Sequence, residues 1–101
     1  MFKNKNELEE YLKIKNEEIL QNKIILENYL SQKSILLRQQ EALEKAILRQ
    51  NDDKERNEYI SQLREVMLDM LGVLKEITYT KNLLSNLEYD IDICKKELKC
   101  F

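Results

Sequence analysis

The sequence predicts an all-α fold: a long antiparallel helical hairpin, coiled-coil-like, that assembles into a four-helix bundle. Three observations predict it. Helix-breaking residues are almost absent, apolar residues recur at alternating three- and four-residue steps, and one short polar segment divides the chain near its middle. The chain is read as a single helical domain over residues 1–101. Helix 1 is expected at about 6–50, a turn at about 51–55, and helix 2 at about 56–99.

The first observation is compositional. There is no proline and one glycine, Gly72. Proline lacks the N–H a helix needs, and glycine loses the most backbone entropy on folding. Leu, Glu, Lys, Gln and Ile fill much of the space, and most of these favour helix. The hydrophobic fraction of 43% is too high for a disordered chain of this polarity.

The second observation is periodicity. In the first half, Leu8, Leu12, Ile19, Leu26, Tyr29, Leu36, Leu43 and Ile47 occupy alternating core places of a heptad. Lys15, Asn22, Lys33 and Gln40 are polar gaps in that stripe, and Tyr11, Ile25, Leu30, Leu37 and Ala46 widen it. Asn4 stands three residues before Glu7, the spacing of a capping box at the helix start.

The second half reads as two frames. Ile60, Leu63, Met67, Met70, Leu74 and Ile77 keep the three–four spacing. Leu84, Leu87, Ile91, Cys94, Leu98 and Phe101 resume it shifted by one position, as a three-residue stammer would. Thr78-Tyr79-Thr80 is weak in helix propensity, and Ser85 with Glu88 offers a cap for a third helix. The sequence therefore allows a kink or break between 78 and 86.

The third observation is the segment Asn51-Asp52-Asp53-Lys54-Glu55, whose short polar side chains favour caps and turns. Asp52 and Glu55 have capping-box spacing. A hairpin closed there makes helices of roughly 68 Å each, where one unbroken helix would run to about 140 Å. Opposed residues then have numbers summing to near 106, which sets Leu63 by Leu43, Met70 by Leu36, Leu84 by Asn22 and Ile91 by Lys15. On that register the core lies near the turn, and the ends are mixed.

The chemical inventory is sparse. Histidine is absent, which removes the usual general base near neutral pH and the Cys/His zinc sites. Cys94 and Cys100 are six apart, on different faces of a helix, so no disulfide between them is expected while that segment is helical. Cys94 continues the apolar pattern and reads as a small buried hydrophobe, Cys100 as the more exposed thiol. The carboxylate pairs Glu9-Glu10, Glu17-Glu18 and Asp90/Asp92 read as solvated faces, and Asp52-Asp53 lacks the glycine and later acids of a calcium loop. No catalytic residue, cofactor or metal is expected.

Net charge is -2, and the basic residues of both halves are interleaved with acids. That pattern disfavours a phosphate-binding surface, so a nucleic-acid-associated regulator is the weakest functional reading. No apolar run reaches the length of a membrane span, and the basic start is not followed by the apolar stretch of a secretory signal. A cytoplasmic or otherwise intracellular setting is expected.

What the composition leaves is surface. Tyr59, Leu63, Val66, Met67, Leu68, Met70, Leu71, Leu74, Ile77 and Tyr79 wrap helix 2 more widely than one partner helix can cover, and are the expected interface. The partners expected are a second copy, as a dimer first, and another protein. The chain is thus read as a non-enzymatic protein–protein interaction module: an adaptor, assembly factor or inhibitor. The alternative is a structural coiled-coil component of a larger assembly. Gly72 lies inside the apolar patch, where close helix contact would justify it; the other reading is an ordinary surface glycine that costs little to keep.

Overall fold

Two helices account for nearly every residue that the structure, a computed structural model, describes, which are residues 2–101. Helix α1 is Lys5–Arg49 and helix α2 is Asp53–Leu98. They run antiparallel as a hairpin. By compactness the chain divides into a terminal unit, Met1–Glu27 with Thr78–Phe101, and a turn unit, Asn28–Ile77.

The start of α1 is fixed by its sequence. The Asn4 side chain accepts a 2.9 Å bond from the Glu7 backbone N–H, as a helix cap does. The Glu7 carboxylate reaches back and accepts the Lys3 N–H at 3.0 Å, one residue earlier than in the usual reciprocal box.

The turn is Gln50-Asn51-Asp52, shorter and earlier than the 51–55 expected from sequence. Asp52 caps α2, accepting the Lys54 N–H at 3.0 Å. Glu55 does not close the box. Gln50 does, since its Oε1 accepts the Asp52 N–H at 3.1 Å and its amide donates to the Glu55 carboxylate. Arg56 completes the knot by donating to the Gln50 carbonyl at 2.6 and 3.2 Å. The turn thus depends on a glutamine that the sequence reading placed at the end of helix 1.

The earlier turn changes the register. The midpoint between Arg49 and Asp53 is residue 51, so opposed residues have numbers summing to about 102 rather than 106. That sets Leu36 against Val66 and Leu43 against Tyr59, in place of Met70 and Leu63. In the terminal unit it sets Leu8 against Cys94 and Leu12 beside Ile91, and these four form one buried cluster. The expectation that the core lies near the turn is overturned. No residue from Leu43 to Leu63 is fully buried, whereas Leu8, Leu87, Ile91 and Cys94 are at most 5% exposed.

Burial on α1 follows the predicted stripe, polar gaps included: Lys15, Asn22, Lys33 and Gln40 are half-buried at its seam. Burial on α2 follows one uninterrupted heptad: Tyr59, Leu63, Val66, Met70, Val73, Ile77, Thr80, Leu84, Leu87, Ile91, Cys94 and Leu98. The stammer and the break allowed at 78–86 are therefore absent. The error lay in seating Met67 and Leu74 at the seam ahead of their neighbours Val66 and Val73. Thr80, read as a weak point, is a seam residue only 3% exposed.

The terminal unit is closed by aromatics. The Phe2 and Tyr11 rings stack at 5.1 Å between centroids with a 54° tilt, and the Lys15 ammonium lies 5.3 Å from the Tyr11 ring centre. Both packed rings abut the Leu8–Cys94 cluster. Burial pushes the Cys94 thiol up from its ordinary pKa, Glu97 and Asp90 add to the rise, and Lys15 opposes it. Cys100 is exposed, and both cysteines are free. A maleimide at pH 7.5 should label Cys100 at least about tenfold faster than Cys94, because only an open unit presents a Cys94 thiolate. Equal rates in mass-resolved labelling would contradict the burial of that cluster.

Candidate interaction surface

The seam residues of the two helices face each other and define two flanks. A trailing flank holds the residue that follows each seam position. A leading flank holds the residue that precedes it. In the turn unit the leading flanks of both helices line the same groove, of about 670 Å³, whose walls include Gln32, Ile35 and Gln39 from α1 and Asp69, Gly72 and Glu76 from α2. The antiparallel pairing therefore puts the two trailing flanks together on the opposite side.

The two sides differ in chemistry. The leading side carries Gln32, Gln39, Gln62, Glu58, Glu65, Asp69 and Glu76, with Ile35 as its one well-exposed large apolar side chain among the described residues. The trailing side carries Leu30, Leu37 and Leu48 from α1, and Ile60, Met67, Leu71 and Leu74 from α2. Most of these are well exposed: Leu30 and Leu74 at 38%, Leu37 at 42%, Met67 at 50%, Leu71 at 57%. Contiguous apolar surface rimmed by polar groups is the usual mark of an interface.

The ten residues expected to form an interface thus divide. Met70 and Ile77 are buried in the seam, with Tyr59, Leu63 and Val66 half-buried beside them, so these five hold the hairpin together. Met67, Leu71 and Leu74 lie on the trailing side and remain available. Leu68 projects from the outer face of α2 at the rim of the leading groove. Tyr79 is well exposed but belongs to the terminal unit. Leu30 and Leu37 of α1 were absent from the expected set. Their signal was in the sequence, since each follows a seam residue (Tyr29, Leu36) as Met67 and Leu74 follow Val66 and Val73.

Gly72 does not serve a close helix contact. A Cβ built there meets nothing within 4 Å, and its backbone is helical with no positive φ. Gly72→Ala should therefore raise stability by about 1 kcal/mol, the difference in helix propensity. Chemical denaturation with unchanged slope checks it; a loss of stability would mean the groove is tighter than it stands.

Among the described residues no group of three or more His, Cys, Asp or Glu is placed to hold a metal ion. No helix of the described residues is long and apolar enough to cross a membrane. The ion pairs Lys5–Glu9, Lys15–Glu18 and Asp53–Arg56 each join residues within about one turn of a single helix. Comparison with family models, curated proteins and solved structures gives no match to this chain.

Proposed function

We propose that the chain is a non-enzymatic protein–protein interaction module, acting through the exposed trailing flanks of its helical hairpin. The observation that carries this reading is the one-sidedness of the turn unit: six exposed apolar side chains gather on the side away from the groove, whose flanks are mostly glutamine and acid. Burying such a strip against another helix pair gains roughly 25 cal/mol per Å² of apolar surface. An adaptor, an assembly factor or an inhibitor would each use such a surface, inside the cell, where free thiols such as Cys94 and Cys100 persist.

A second reading is a structural coiled-coil component of a larger assembly. The unbroken heptads of both helices favour it. The two readings separate by stoichiometry, because an assembly component grows with concentration and a module reaches a fixed mass. The interaction reading itself is tested by substituting both sides of the hairpin. Leu71→Glu should abolish complexes, whether with itself or with a captured protein, and Leu68→Glu should leave them intact. Complexes lost equally with both variants, or with neither, would remove the trailing side as the binding surface.

A further inference from the structure

Resting on that interaction reading, we infer that the occupant of the trailing side is a second copy of this chain, paired about a two-fold axis that runs along the helices. The argument is charge. Beside the seam residues Tyr29–Ile47 of α1 and Tyr59–Val73 of α2, the trailing side carries only three charged residues, Glu41 and Glu44 on α1 and Arg64 on α2, all exposed. Its α1 edge is acidic and its α2 edge is basic.

Two copies can meet face to face in two symmetric ways. An axis across the helices stacks α1 on α1 and α2 on α2, so that the acidic edge faces an acidic edge and the basic edge a basic one. An axis along the helices stacks α1 of one copy on α2 of the other, with both turns at the same end. Every neighbouring helix pair is then antiparallel, as in an up-down four-helix bundle. The acidic edge of each copy now meets the basic edge of the other. On the hairpin register Glu41 is level with Ser61, three residues or about 4.5 Å from Arg64 along the axis. Leu30 and Leu37 of one copy lie over Met67, Leu71 and Leu74 of the other, on the side of these charges away from the turn. An isologous contact of this kind uses each pair twice, so one substitution acts at two places.

The test uses the full chain by sedimentation equilibrium. Arg64→Glu and Glu41→Arg should each weaken self-association at least about tenfold, since each sets like charges together at two sites. The two variants mixed in equal amounts should form a heterodimer, and the double variant carrying both changes should associate within about threefold of the wild type. Circular dichroism should show unchanged helix content, because both side chains are exposed. A dimer that neither single variant weakens overturns the inference. A chain monomeric throughout, whose captured partner protein is lost on Leu71→Glu, also overturns it while leaving the interaction reading standing. A monomer with nothing lost on Leu71→Glu removes both.

Discussion

Leu8→Ala is expected to cost about 2–4 kcal/mol of stability, whereas Leu48→Ala changes it by less than about 0.5 kcal/mol. The chemical change is the same. Leu8 has no exposed surface and sits in a cluster of buried side chains that joins residues near the two ends of the chain, packed with Leu12, Ile91 and Cys94. Its removal opens a cavity that Phe2 and Tyr11, already stacked on each other, are poorly placed to fill. Leu48 is 84% exposed beside the turn and loses almost nothing by truncation. Thermal melts of the two variants measure the contrast. On a chain of this size the Leu8 variant should melt on the order of 10–20 °C lower. Comparable losses in both variants would mean that the core lies near the turn after all, as the 106 register had it.

The double variant Met67→Glu/Leu71→Glu is expected to weaken association by about a hundredfold or more, with little change in helix content. Each substitution places a carboxylate in the middle of the trailing side, where burial against a partner strands it without a counter-charge. Truncating or charging a central apolar anchor commonly costs an interface 2 kcal/mol or more, and each 1.4 kcal/mol is a factor of ten in affinity. Both residues are half exposed in the single chain and glutamate is a good helix former, so the hairpin itself loses little. The measurement is the dissociation constant from dilution, with circular dichroism on the same samples. A variant that associates as tightly as the wild type would place the interface elsewhere, the exposed outer residues Tyr79 and Tyr89 being the next to change.

The fold class was legible because it depends on composition and period. A chain with a single glycine and no proline, carrying a heptad from Leu8 to Ile47, has few alternatives to a long helix. The Asn4–Glu7 cap was also legible, because its side chains lie three residues apart and act locally. The register was not. It hinged on a turn spanning 50–52 rather than 51–55, centred at 51 rather than 53, and Gln50 acts through bonds to Asp52, Glu55 and Arg56 that no propensity encodes. An error of two residues at the turn becomes four in the pairing sum, which is a full helical turn and relocates the core.

The frame of α2 was ambiguous for a different reason. Tyr59-Ile60, Val66-Met67 and Val73-Leu74 each place two apolar residues side by side, and either member can face the seam. Sequence spacing alone seats the second member of each pair at the core. The later frame, from Ile77 through Thr80 and Leu84, decides for the first member, and Ile60, Met67 and Leu74 then fall on the trailing side. That misplacement seated Met67 and Leu74 in the core frame, although both also stand among the residues expected at an interface. It also produced a register slip where the helix has none.

The most direct test of a trailing side covered by a second copy is the solution mass of the wild-type chain by light scattering across a concentration series, run beside Met67→Glu/Leu71→Glu. The wild type should rise with concentration to a fixed dimer mass, and the variant should stay at the mass of one chain over the same range. A wild type and a variant that share one mass at every concentration would contradict it.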